Sequence, residues 1–159
     1  MSERQLEKME SLFDFDAARS RGIADYEPGV VPFVTSTLLN NGVVGYVTPM
    51  VGDKVFDGPV LSISGLGDAT VQLGRFLPKG NGGDSLTICT PLKPMTVYEL
   101  VSVAAAFNSL HAWRFSYGRK CSPSRLRPLE LPTELPDAKV IWQAERASVN
   151  ALSTELTTL

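Results

Sequence analysis

The chain is 159 residues long, 43% hydrophobic and 20% charged, which describes one ordinary globular domain with a core of its own and no general disorder. A net charge of −2 and a pI near 5.4 exclude a histone-like or generally basic DNA coat, though not a localised nucleic-acid face. No apolar run approaches the ~20 residues that span a bilayer, and MSERQLEKMESLF mixes charges where a signal peptide would be apolar. The two cysteines, Cys89 and Cys121, supply no metal or disulfide framework, so a reduced, cytoplasmic protein without a membrane partner is expected.

Leu6, Met9, Leu12 and Phe13 recur at helical spacing, which predicts an amphipathic helix over 2–13, with a polar loop from Asp14 to Pro28. Two β-rich runs follow, Val30 to Val34 and Val43 to Val47, separated by Thr35, Ser36, Thr37 and then Asn40-Asn41-Gly42. Asn-Gly supplies the positive φ that tight turns need. Short strands are predicted at Val55-Phe56, Val60 to Ser64, Thr70 to Phe76 and Ser85 to Thr90, punctuated by glycine-rich turns at 65–68 and 78–83. The Gly65-Leu66-Gly67 turn lacks the third glycine and the Lys-Ser/Thr of a nucleotide loop, and no helix follows it. Thr96 and Glu99 form a capping box ahead of Leu100, Val103, Ala104, Phe107, Leu110 and His111, so a helix over about 97–112 packs one face on the sheet. After Pro132 and Pro136, Asp137 is placed to cap a last helix reaching about Leu156, with a thin apolar stripe at Val140, Ile141, Ala144, Ala151 and Leu152. The fold class is therefore α/β in the α+β sense: one domain with a twisted, mainly antiparallel or mixed sheet, one packed helix and a C-terminal helix.

No catalytic set is visible. His111, the only histidine, reads as a core residue on an apolar helix face. Neither cysteine has a ligand partner at metal spacing, Pro136-Asp137 reads as a helix cap, and Asp14, Asp16 and Asp25 read as solvated carboxylates. No enzyme activity, metal or cofactor is expected. One stretch stands out, FSYGRKCSPSRLRPLEL over 115–131, with Arg119, Lys120, Arg125 and Arg127 and no acid before Glu130. Phe115 and Tyr117 read as core anchors for it. Two readings of its cations stay open: a solvated loop balancing acids elsewhere, or phosphate contacts by Arg119, Lys120 and Arg125. Lys79 and Asn81 in the 78–83 turn could join the same face, and Thr35, Ser36, Thr37, Asn40 and Asn41 offer donors and acceptors suited to base edges.

Taken in order, VPFVTSTLLNNGVVGYV, VLSISGLGDATVQLGRF, SLTICTPL, a helix and FSYGRKCSPSRLRPLELP resemble the target recognition domain of type I restriction–modification specificity subunits, with relatives in type IIG and type IIB enzymes. The likeness covers about residues 12–135. Its most specific pieces are the Pro-Phe-Val and Asn-Asn-Gly-Val-x-Gly-Tyr segments and the Tyr-Gly-Arg-Lys segment closing on Leu-Pro. The resemblance implies a non-catalytic module, residues 1–136, that reads double-stranded DNA in the major groove for methyltransferase and endonuclease subunits. It also implies a spacer and dimerisation helix at 137–159. It places Thr35, Ser36, Thr37, Asn40 and Asn41 near the DNA, with Tyr117, Gly118, Arg119 and Lys120 as the closing motif. Specificity subunits carry two such domains and this chain has one, which fits either a homodimer on a symmetric split site or a recognition module within a larger assembly. The alternative is a protein-interaction or regulatory subunit on the same fold, a decoy or inhibitor of restriction without DNA affinity.

Overall fold

The computed structural model describes residues 5–135 and 138–157. Its framework is a pair of four-stranded sheets whose strands interleave along the chain. The first sheet has the order β2-β9-β6-β7, formed by β2 (Phe13–Ala17), β6 (Val60–Ile63), β7 (Ala69–Gln72) and β9 (Thr87–Pro91). All its pairings are antiparallel. The second has the order β4-β3-β8-β5, from β3 (Pro28–Val34), β4 (Val43–Val47), β5 (Phe56–Asp57) and β8 (Arg75–Pro78), with β3 and β8 parallel. A small third sheet pairs β1 (Leu6–Lys8) with β10 (Glu130–Pro132).

The two-residue period of the strands divides the core into layers. On β9, Cys89 faces the helix α2 (Val97–Leu110) together with Leu61, Ile63, Leu100, Val103 and Phe107. Its neighbour Ile88 faces the other way, into a second cluster with Val34, Val60, Phe76 and Leu86. On β8, Phe76 belongs to that cluster, and Leu77 belongs to a third with Tyr26, Val31, Phe33 and Val47. The mixed sheets and the packed helix match the predicted class. The capping box is present in full: Thr96 Oγ1 accepts from Glu99 N at 3.2 Å, and Thr96 N donates to Glu99 Oε2 at 2.7 Å. Thr96→Ala is therefore expected to lower stability by about 1 kcal/mol, read as a shift of the urea midpoint at constant slope.

Three expectations need correction. Among its described residues, the span 2–13 is not the expected helix, and a strand runs from Phe13 into the expected loop, so the relevant span is 6–17. Within that span lie β1, a single turn α1 (Met9–Leu12) and β2. Phe13 and Phe15 are buried while Asp14 is exposed, so the true period is two, and β9 offers the partner edge that makes a strand of it. The span 14–28 is likewise structured, with a 3-10 turn at Ile23–Asp25, and Asp16 is ion-paired to Lys54 at 2.6 Å rather than simply solvated. The predicted strand from Thr70 to Phe76 is two strands in different sheets, broken at Leu73-Gly74.

The last helix, α4 (Ala138–Thr157), runs close to the predicted span, and none of its residues is buried. Ala138 N donates to Ser102 Oγ of α2 at 3.3 Å, which seats its first turn against the domain. Pro136 and the proposed cap Asp137 lie outside the described residues. No described helix is long and apolar enough to cross a membrane.

Candidate nucleic-acid interface

The basic stretch begins as a tight hairpin. Ser116 and Arg119 exchange both backbone hydrogen bonds, at 3.1 and 2.9 Å, so Tyr117 and Gly118 form its tip. Phe115 is buried and stacks on Phe107 at 6.4 Å between ring centroids, as an anchor should. Tyr117 is not one: it is 82% exposed, because the two-residue turn carries its ring away from the core. Behind the tip, Cys121 N donates to Gly65 O at 2.8 Å, and Leu126 and Leu131 are buried. His111 confirms the core reading: its Nε2 donates to the Glu130 carbonyl at 2.7 Å, and its Nδ1 accepts from Arg114 Nε at 3.1 Å.

The Gly-x-Gly turn is the junction between this hairpin and the glycine-rich segment 79–85. A Cβ on Gly65 would run into the carbonyl oxygen of Gly83, and one on Gly67, at φ +93°, would meet Ala112 O and the Phe115 ring. Only glycine lets these backbones approach so closely. The Lys120 ammonium then reaches across, donating to Gly82 O at 3.2 Å and to the Ser85 hydroxyl. From the other side, Ser20 Oγ donates to Pro78 O at 2.6 Å and accepts from Gly80 N at 3.2 Å.

The connection between β3 and β4 joins the same surface. Asn40 (φ 49°) and Asn41 (φ 52°) both adopt the left-handed conformation, which asparagine tolerates, and Gly42 continues it at φ 83°. The Asn40 amide donates to Val43 O at 3.2 Å and the Asn41 amide to Val71 O at 2.7 Å. Both side chains thus have one group holding the loop itself. Thr35 and Thr37 also bond within the loop, Thr37 Oγ1 accepting from Leu39 N at 3.2 Å. Leu38 and Leu39 are exposed at this tip, 59% and 80%, and carry apolar surface that the polar reading of the loop passed over.

Asp84 links the loops. Its carboxylate accepts from Lys79 Nζ at 2.7 and 2.9 Å, one bond to each oxygen, and from Ser36 Oγ at 2.9 Å. Partial burial pushes this carboxyl up, but the Lys79 and Ser36 hydrogen bonds and the Lys79 charge outweigh it and leave the group below its ordinary range. Lys79 is therefore ion-paired, not a free cation. Lys120 is engaged with the Gly82 carbonyl and the Ser85 hydroxyl, and Arg125 Nη1 donates to Lys120 O at 2.7 Å. Arg119 is exposed and its guanidinium has no partner among the described residues, and Asn81 is exposed beside Gly22. All three segments proposed from sequence meet here. Asp84, Ser85 and Ser20, which hold them, were missed. The visible signal was Lys79 and Asp84 flanking one glycine-rich turn.

A cleft of about 890 Å³ lies elsewhere, between Leu12, Tyr98, Ser102, Pro132 and Ala138, and contains none of the residues 35–41, 79–81 or 117–125. Among the described residues no group of His, Cys, Asp and Glu is placed to hold a metal ion. Both thiols are buried. Burial pushes the Cys121 thiol up to about 12, against the Ser122 backbone N–H and the Arg125 and Lys120 charges. Burial and the neighbouring Cys121 raise Cys89 well above the usual range. Because the thiolate is the reacting form, neither should react with iodoacetamide at pH 8 until the protein is unfolded in guanidinium. Mass spectrometry that found full alkylation in native buffer would contradict this burial.

The architecture is that of the S subunits of type I restriction–modification systems, the fold implied by the sequence resemblance. The S subunit of the type I system from M. genitalium aligns with a TM-score of 0.63 at 12% identity, over 97% of this chain and 42% of its own. The HsdS subunit from Thermoanaerobacter tengcongensis aligns at 0.59 and 12%, over 97% of this chain and 38% of its own. The chain thus spans well under half the length of either, and at such identity what they share is the fold. No protein-family model and no curated protein matches the sequence.

Proposed function

We propose that this chain is a sequence-specific recognition module for double-stranded DNA in a restriction–modification system, without catalysis of its own, lending specificity to methyltransferase and endonuclease partners. The observation that carries the reading is the convergence of the 35–42 connection, the 79–85 turn and the 116–120 hairpin on one surface of an S-subunit fold. The surface offers an unpaired cation at Arg119, adaptable donors at Asn40 and Asn81, an aromatic tip at Tyr117 and apolar contacts at Leu38 and Leu39. Residues 1–136 form the recognition domain and 137–159 the spacer. Trp142, Val149, Leu152 and Leu156 are all exposed on α4 at heptad-like spacing, an apolar seam suited to a second helix and so to a homodimer or a partner subunit.

Affinity selection from random duplex DNA, with and without a copurified methyltransferase subunit, tests the function. A recovered motif, enriched most in the presence of the partner, is the expected result. Recovery of no motif in either arm would instead favour the protein-interaction subunit, with α4 as its contact.

A further inference from the structure

We infer that Asp84 is a positioning residue of this surface. Its carboxylate ties the 35–42 loop to the 79–85 turn and keeps Lys79 off the DNA backbone, so it sharpens sequence discrimination while lowering affinity for DNA of arbitrary sequence. The inference rests on the DNA-recognition reading and deepens it.

An acid on a surface that faces phosphates repels them, so its presence there asks for a reason. Stability is a weak one, because ion pairs near the surface contribute roughly 0–1 kcal/mol. Geometry supplies a better one. Both carboxylate oxygens accept from Lys79, and Oδ2 also accepts from Ser36, 48 residues away in sequence. The base of the 79–85 turn is held without Asp84: Lys79 N donates to Val34 O, Leu86 N to Lys79 O, Ser20 brackets residues 78–80 and Lys120 caps Gly82 and Ser85. Removing the carboxylate therefore leaves the turn's base in place. It frees the Ser36 side of the neighbouring loop and releases one ammonium. The freed Lys79 serves any phosphate, whereas the loosened loop serves any sequence less well.

The test uses the full chain as wild type, Asp84→Ala, Lys79→Met and the double variant. Hydrogen exchange is measured on the free proteins. Binding is measured to a mixed-sequence duplex and to the motif recovered by selection. Asp84→Ala should speed amide exchange within 35–42, steepen the salt slope on mixed-sequence DNA by about 0.9, and raise affinity for that DNA roughly threefold at low salt. Its preference for the motif should fall on the order of tenfold. Lys79→Met, which strands the Asp84 charge, should weaken binding to both duplexes. The double variant should return to wild-type affinity for mixed DNA while keeping the poor preference. A merely structural role for Asp84 would lower affinity for both duplexes together and leave the salt slope alone. Unchanged exchange in 35–42, an unchanged preference, or a gain that survives Lys79→Met overturns the inference alone. Failure of selection to return any motif overturns it together with the DNA-recognition reading.

Discussion

Phe107→Ala is expected to lower the unfolding free energy by about 3–5 kcal/mol, a large share of the roughly 5–15 kcal/mol available to a domain of this size. The side chain is fully buried. It stacks on Phe115 at 10° between ring planes and lies 5.7 Å from the His111 ring, within the cluster that includes Leu61, Ile63 and Cys89. Truncation removes the ring and leaves a cavity between two rigid elements, the first sheet and α2, which cannot close around it. The effect should extend to the hairpin, because Phe115 loses its stacking partner at the point where the chain leaves the core for Tyr117. Urea unfolding should show a midpoint shift of this size at constant slope, with faster amide exchange at 115–121 in the surviving folded fraction. A cost below about 1 kcal/mol would mean that this layer is not the packed core.

How much of this was legible in the chain depends on how far apart the deciding partners are. β3 and β4 were readable because β-branched residues cluster on both sides of a turn whose asparagines and glycine need positive φ. The start of α2 was readable because its cap lies within four residues. The segment 6–17 was not. Its Leu6, Met9 and Leu12 imitate a helix stripe, and only β9, more than seventy residues downstream, selects the alternation Phe13-Asp14-Phe15. The break at Leu73-Gly74 is set by which sheet each half joins, a choice the local alternation Thr70-Val71-Gln72-Leu73 does not reveal. The same logic governs the surface. That three polar or basic segments existed was plain; that Lys79 and Lys120 hold loops while Arg119 stands free depends on partners at Asp84, Gly82 and Ser85.

The acidic net charge and the proposed DNA-recognition surface are compatible because charge acts locally. Glu10 and Asp14 are exposed and Glu7 is half-buried on or beside the first strands of the chain, and Glu130 lies on β10, which pairs with β1. The 116–120 hairpin carries no acid, and the one acid of the 79–85 turn is neutralised by Lys79. Interactions beyond about 8–10 Å are screened at physiological salt, so a carboxylate farther than that from a phosphate contact costs it little. On the proposed function, so few free cations predict weak DNA binding by the isolated domain.

Arg119 and Lys120 are adjacent in sequence but should answer differently to mutation. Arg119→Ala removes an exposed guanidinium with no partner among the described residues, and is expected to weaken binding to every duplex alike, on the order of tenfold. The slope of log affinity against log salt should become shallower by about 0.9, the signature of one lost phosphate contact. Protein stability should hardly move, because the Arg119 backbone bonds to Ser116 remain. Lys120→Ala removes the clasp on Gly82 and Ser85 instead. Its main effect should be faster exchange across 80–85 and a smaller change in salt slope, since much of its charge already serves the loop. Measuring the two variants over a salt series from 50 to 200 mM separates the roles. Equal slopes for wild type and Arg119→Ala would take the hairpin off the DNA backbone. A Lys120→Ala slope as shallow as that of Arg119→Ala would make the lysine a phosphate contact first and a loop clasp second.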